Sequence, residues 1–274
     1  MFLKVFLVIL RHYLTVTGLF VKKIYLILLC IMFACFGCKW RLQSGSHSES
    51  DMVIERYDRL EASFLTTGDF SALQQMQTRY PMQTRRLIED VIKLGKVDDA
   101  HINVRFLSFF QDSTLQALIA EVGRQYEKMD DIDKQLSKSF GRMTHLLPEL
   151  KHPEVYTQIG SLDQSVVVDG TLLGISLDKY LGADYPLYVK YGYSEKQRSM
   201  MLRDYIVPDC LGFYLLSHYP APSDSLRLQH MGRIQHTVNC LMDRKIFENA
   251  HVEEARHYMN NHKGLTFAEL LEGK

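Results

Sequence analysis

The sequence has no excess of charge of either sign. Its 274 residues include 32 lysines and arginines and 32 aspartates and glutamates, so the formal net charge is zero. Proteins that bind nucleic acid usually carry a basic surface, and no basic stripe interleaved with aromatic residues occurs in this chain. We therefore expect no nucleic-acid partner.

The motifs of common cofactor and metal sites are also missing. Neither GxxxxGK[ST] nor GxGxxG occurs, and no histidine is followed by glutamate, so an HExxH zinc motif is absent. The segment GISLD at 174–178 resembles a nucleophile elbow but lacks its second glycine. We predict no catalytic residue, no metal ligand and no cofactor.

Cysteine is scarce in the body of the chain. Three of the five cysteines, Cys30, Cys35 and Cys38, lie close together near the start, which leaves only Cys210 and Cys240 in the rest. In an oxidising envelope these two could form one disulfide, or they could remain as two buried thiols, and the sequence does not decide between them. With 46% hydrophobic residues the chain is long enough for one large hydrophobic core or two smaller ones.

The clustered cysteines belong to a segment with the layout of a bacterial lipoprotein signal. Lys22 and Lys23 precede an apolar run at 24–36, and Gly37 stands directly before Cys38. In that chemistry the cysteine sulfur receives fatty acyl chains, and the peptide is cut just before it. We predict lipidation at Cys38, a signal peptide at 1–37 and a palmitate-type anchor.

Three features of this segment leave alternatives open. Ala34 offers a competing small residue before Cys35, and the apolar stretches within 1–37 could instead form a retained membrane anchor. Translation could also begin near Val21, which would give a more compact signal. Behind Cys38, the polar residues 38–50 are typical of a short flexible tether.

We expect residues 51–274 to form one α+β domain in which helices dominate. Apolar residues recur every three to four positions through 51–150, which predicts an almost entirely helical half beginning with a helix over 51–65. Gly68 ends that helix, and Gly95 is expected to end a later one.

In the second half, 151–274, the helical spacing of apolar residues gives way to short strand-like runs before the helical spacing returns. Short β-branched and aromatic runs surround Asp169-Gly170, which is a strong hairpin signal, and 186–192 (PLYVKYG) reads as a further strand. The sequence predicts a small antiparallel sheet inserted between the N-terminal helical half and the C-terminal helices.

The central segments resemble those of a known family. Residues 155–188, and above all the phrase GISLDKYLGADYPLY within them, together with RDYIVPDCLGFYL at 203–215, are similar to the gliding-motility lipoprotein family GldB. The resemblance spans 22 to about 220, whereas 224–274 departs from the usual ending. It implies an acylated envelope protein without established catalysis.

That family is itself similar to zinc metallopeptidases, in which a sheet edge precedes a helix bearing the metal ligands. The corresponding helix here covers about 200–217 and contains no zinc-binding pair; His218 lies only at its end. The resemblance therefore implies, as an alternative function, a degenerate or altered hydrolase of envelope peptides.

The most distinctive polar residues of the resembling segments are Asp178, Tyr180, Asp184, Tyr185 and Asp209. One interpretation is a groove between hairpin and helix that receives a peptide or partner loop. The other is structural, with the aspartates capping helices and the tyrosines packed in the core.

These features together predict a lipid-anchored component of a surface or gliding-motility machinery in the cell envelope. It would contact the membrane through its N-terminal lipid, on the periplasmic face or at the outer membrane, and would act by binding envelope proteins. A nutrient-binding lipoprotein is a further alternative that would require a deep pocket beside Asp178.

Overall fold

The structure is a computed structural model that describes residues 53–273. Short helices fill the first half, a three-stranded sheet follows, and helices return after it. The longer elements are α1 Tyr57–Thr67, α2 Phe70–Thr78, α3 Pro81–Arg86, α4 Ile102–Phe109, α5 Ser113–Gln125, α6 Asp130–Leu146, β1 Glu154–Gln158, β2 Val166–Asp169, β3 Leu172–Ser176, α7 Pro186–Lys190, α8 Glu195–Arg198, α9 Ile206–His218, α10 Arg227–Met242, α11 Ala250–Asn261 and α12 Phe267–Glu272. The predominantly helical α+β class is confirmed.

Local signals explain where several helices begin and end. Asp69 caps α2 by accepting a hydrogen bond from the backbone N–H of Ser71 at 2.9 Å, and Asp112 caps α5 in the same way through Thr114 at 2.8 Å. Gly68 ends α1 in the left-handed conformation, with φ of 69°. The end of α1 at Gly68 agrees with the sequence-based prediction.

The first helix is shorter than predicted, because the chain before it joins the sheet. The backbone N–H of Glu55 donates to the carbonyl of Val155 at 2.9 Å, and the carbonyl of Glu55 accepts from Thr157 at 3.0 Å. Residues held in this way are extended, so α1 starts only at Tyr57. The helix predicted to reach Gly95 also ends early, in a π-helical turn at Leu87–Val91.

The sheet is mixed, and the prediction of a strictly antiparallel sheet was wrong. The strand order is β1-β3-β2; β2 and β3 form the predicted hairpin, whereas β3 runs parallel to β1. Because the chain crosses from β1 to the far edge before the hairpin turns back, β3 enters the middle in the same direction as β1. The turn residues are Gly170 and Thr171, since Asp169 still pairs with Leu172.

The segment 186–192 was predicted as a strand and is instead helix α7 followed by a turn. Pro186 occupies the first turn of this helix, where its missing N–H leaves no hydrogen bond unmade. Its aromatic residues suit a strand equally well, so composition alone could not distinguish the two structures.

Helix α9 lies at the centre of the second half. It packs against β2 and β3, and against α6 and α10. Its sequence is apolar nearly all round, as expected of a helix buried on several sides. Pro208 stands in its first turn, where it does not disrupt the helix.

The last helices, α11 and α12, pack on α10. Gly232 in α10 makes this possible, because a Cβ at that position would lie 2.4 Å from the Cβ of His251 and 2.6 Å from its backbone.

All described residues belong to the compact unit Glu49–Lys274. Cys210 and Cys240 are free thiols. The signal peptide 1–37, the start near Val21, the lipidation site Cys38 and the tether 38–50 lie outside the described residues.

Candidate functional site

Asp178 follows β3 and joins it to the loop that follows β1. Its side chain is fully buried, and its carboxylate accepts hydrogen bonds from the backbone N–H of Gly160 at 2.7 Å and of Leu162 at 2.5 Å. The two strands are parallel, so their carboxyl ends meet at one edge of the sheet, within reach of one side chain. Burial raises the pKa of Asp178, and the two backbone hydrogen bonds act in the opposite direction.

The residues around Asp178 are closely cross-linked. The Tyr188 hydroxyl donates to the carbonyl of Asp178 at 2.6 Å and accepts from the N–H of Leu181 at 2.9 Å. The Lys179 ammonium donates to the carbonyl of Leu162 at 3.2 Å and to the Tyr193 hydroxyl at 2.9 Å. These buried polar groups have partners, so the segment is a rigid support for whatever lies beside it.

Tyr180 connects this support to helix α9. Its hydroxyl donates to Oδ2 of Asp209 at 2.8 Å, while its carbonyl accepts from the Tyr126 hydroxyl at 2.5 Å. Burial raises the pKa of Asp209 to about 6, and the hydrogen bond from Tyr180 lowers it. Among the described residues, no donor and no cationic side chain is bonded to the other carboxylate oxygen of Asp209, Oδ1.

Asp209 lines a cavity of about 190 Å³ between α9 and α10, which we call the α9–α10 pocket. Its other walls are almost entirely apolar, and helical Gly212 leaves part of its floor open. The lining residues are Met200, Pro208, Asp209, Gly212, Phe213, Leu216, Met231, Ile234, Gln235, Val238 and Phe247.

The five residues singled out by sequence are only partly brought together. Tyr180 and Asp209 touch, and Asp178 is tied to the same segment, but only Asp209 lines the α9–α10 pocket. Asp184 is exposed at a turn, and Tyr185 stacks edge-on against Tyr188 with ring centroids 5.2 Å apart. A partner groove that uses all five residues stays a prediction.

Among the buried acids that sequence reasoning missed is Glu61 of α1. It is completely buried; its Oε2 accepts from the N–H of Ile159 at 2.8 Å, and its Oε1 has no hydrogen-bond partner within the described part of the chain. Burial, followed by the charges of Asp178 and Asp58, raises its pKa well above the ordinary range. A signal was present, because Glu61 lies one turn from the core residue Tyr57 on the same helix face.

The described residues also bear on metal binding. Within 53–273, no three histidine, cysteine, aspartate or glutamate side chains are grouped so that they could hold one metal ion. His218, at the end of α9, hydrogen-bonds through Nδ1 to the carbonyl of Tyr214 at 2.9 Å and packs on its ring.

Comparison with known proteins gives one match. Residues 40–245 match the model of a family described as gliding motility protein GldB, so the match covers well over half of the chain. No curated protein and no solved structure was found to match. Between residues 53 and 273, none of the helices combines the length and apolar character needed to cross a bilayer.

Proposed function

Because this chain belongs to the GldB family of gliding motility proteins, we propose that it is a lipid-anchored, non-catalytic component of a surface or gliding-motility machinery. It acts by binding other proteins of the cell envelope. The family match carries this proposal. The match begins at residue 40, two residues after Cys38, and Cys38 is the residue at which a lipidated mature chain would start.

The anchor at Cys38 gives the proposal its physical mechanism. Acyl chains buried in a bilayer each contribute about 0.8 kcal/mol per methylene group, and two chains suffice for stable attachment. Attachment confines the folded body to a thin layer at the membrane, so its encounters with other envelope proteins occur at high effective concentration. The polar tether 38–50 would let the body reorient while it remains at the surface.

The architecture supports binding rather than chemistry. The buried polar residues that follow β1 and β3 bond to one another or to backbone groups, as the contacts of Asp178 and Tyr188 illustrate. Such a rigid support suits a protein that presents a fixed surface to a partner.

The anchor is tested by Cys38→Ala in cells fed a clickable palmitate analogue. We expect the natural protein to be labelled and to sediment with membranes, and the variant to lose the label and the membrane attachment. Cys35→Ala is the matched control, because it removes a neighbouring thiol and should leave labelling and fractionation unchanged. Unlabelled natural protein, or a Cys38→Ala variant that still fractionates with membranes, would contradict the proposal.

The interaction role is tested by crosslinking in intact cells, followed by mass spectrometry of the proteins attached to the lipidated chain. We expect a small set of envelope proteins that disappears with Cys38→Ala. Metal analysis and peptide cleavage by the purified full chain provide the opposing test. Stoichiometric zinc together with cleavage of envelope peptides would establish the hydrolase alternative and overturn the non-catalytic role.

A further inference from the structure

The α9–α10 pocket has the properties of a binding site for one side chain. Its volume, about 190 Å³, is below the range of about 300–1,000 Å³ that is typical of small-molecule sites. Two of its apolar residues, Met200 and Phe213, are each 41% exposed, so the wall remains accessible at the surface. Methionine side chains adapt their shape to a bound group, and Met231 supplies a second one to the pocket.

The single charged group of the pocket lacks a counter-ion. Asp209 is held by Tyr180 through Oδ2 only, and no cation among the described residues pairs with it. A carboxylate on an apolar wall is unfavourable until a donor or an opposite charge compensates it. A bound cation would therefore gain both a charge partner and the unused oxygen Oδ1.

The geometry selects between the two cationic side chains. An arginine guanidinium binds a carboxylate best through two parallel hydrogen bonds, one to each oxygen, and at Asp209 it would have to share Oδ2 with the Tyr180 hydroxyl. A lysine ammonium is a point charge and needs only Oδ1. Its four-carbon stem can lie along apolar walls such as Met200 and Phe213, as lysine stems commonly do.

We propose that the α9–α10 pocket receives a lysine side chain from a protein partner, with the ammonium bound by Asp209 and the stem packed between α9 and α10. This inference rests on the proposed function, because it identifies the chemistry of the partner that the anchored protein binds. It assigns Asp209 the binding role and Tyr180 the role of positioning its carboxylate.

The pocket can be probed directly in the full chain, solubilised in detergent, with methionine methyl groups labelled with ¹³C. The probe is n-butylammonium, which reproduces the lysine side chain. We expect saturable shifts of the methyl signals of Met200 and Met231, whereas the fully buried Met76 and Met143, outside the pocket, serve as unshifted controls. n-Butanol should bind about tenfold more weakly, as the loss of a charged hydrogen bond predicts, and n-butylguanidinium, which keeps the charge, should bind more weakly because it would share Oδ2 with the Tyr180 hydroxyl.

Two variants separate the charge from the cavity. Asp209→Asn keeps the shape and should abolish the preference for ammonium over butanol. Gly212→Leu fills the pocket from a position where a Cβ meets nothing within 4 Å, so it should fold normally and block all three probes. Asp184→Asn, which changes an exposed carboxylate away from the pocket, is the matched control. Absent shifts, equal binding of butanol and butylammonium, or unchanged binding in Asp209→Asn would each overturn the proposal.

Crosslinking in cells distinguishes this inference from the broader function. If Asp209→Asn and Gly212→Leu lose a partner that Asp184→Asn keeps, and all three remain at the membrane, the pocket is the partner's binding site. If every partner is retained in both pocket variants, the lysine site is wrong while the anchored interaction role stands. If the natural protein crosslinks no envelope partner, the interaction role itself fails, whatever the butylammonium titration shows.

Discussion

Asp209→Asn should make the protein more stable at neutral pH. The reason is that the natural residue is ionised in a site that favours its neutral form. Burial raises the pKa of Asp209 from its ordinary value of 3.8 to about 6. Asparagine has the same shape, carries no charge, and its side-chain oxygen can still accept the hydrogen bond from Tyr180.

The direction of the pH dependence follows from proton binding. Between pH 3.8 and about 6 the folded protein holds the Asp209 proton more tightly than the unfolded chain does, so the free energy of unfolding falls as the pH rises through this window. A pKa difference of about two pH units corresponds to about 3 kcal/mol, at about 1.4 kcal/mol per unit. Below pH 3.8 the carboxyl is neutral in both states and the penalty vanishes.

The increase in the free energy of unfolding of Asp209→Asn should be smaller than about 3 kcal/mol, because burying the asparagine amide also removes it from water at a free-energy cost. We expect about 1–2 kcal/mol at pH 7.5, which for a domain of this size raises Tm by roughly 2–8 °C. Scanning calorimetry of the full chain in detergent at pH 7.5 and pH 4 measures it, with Asp184→Asn as the control expected to stay within about 0.5 kcal/mol of the natural protein. A gain that is equal at both pH values, or a loss of stability at pH 7.5, would refute the reasoning. A charge that lowers stability at a solvent-accessible pocket is typical of a functional residue.

Two further variants test the packing and the buried acid. Gly232→Ala should destabilise the protein by about 1–3 kcal/mol and expose the α11 region to limited proteolysis, because the new Cβ meets His251. Gly123→Ala is the control; it lies in helix α5, where an added Cβ meets no atom within 4 Å, and it should stabilise the protein by up to about 1 kcal/mol. Equal effects of the two substitutions would contradict the close packing of α10 on α11. Glu61→Gln should match the natural protein within about 1 kcal/mol at pH 4, below the ordinary pKa of 4.5, where the carboxyl is neutral in both states. It should become the more stable of the two as the pH rises from 4.5 to 9, because the raised pKa of Glu61 means that the folded protein holds this proton more tightly than the unfolded chain does. Denaturant titrations at pH 4 and pH 9 measure this difference, and a natural protein that is the more stable of the two at pH 9 would exclude it.

The predictions that succeeded rest on interactions within a few residues of the chain. Gly68 ends α1, as predicted, because its own backbone adopts a left-handed conformation. The hairpin around Gly170 is equally local. Such signals can be recognised without knowledge of any distant neighbour.

The predictions that failed depended on partners far away along the chain. Nothing near Glu55 indicates that its backbone bonds to residues 155 and 157. The β-branched and aromatic residues of β1 fit either strand direction, so the sequence pattern could not specify a parallel neighbour. The aromatic segment 186–192 is likewise compatible with a helix or a strand, and in the folded protein it forms helix α7.

The sequence by itself determined the helical character, the hairpin and the layout of a lipoprotein signal ending at Cys38, because each is written in the spacing of nearby residues. Only the tertiary structure decided what the acidic residues do. Parallel pairing brings Asp178 to the loop after β1 and buries it, whereas the packing of α9 against α10 places Asp209 in an apolar pocket, where Oδ1 has no hydrogen-bond partner among residues 53–273. Both aspartates lie within the residues that match the family. They differ because burial and the availability of donors are properties of assembled surfaces, which residue type and spacing do not specify.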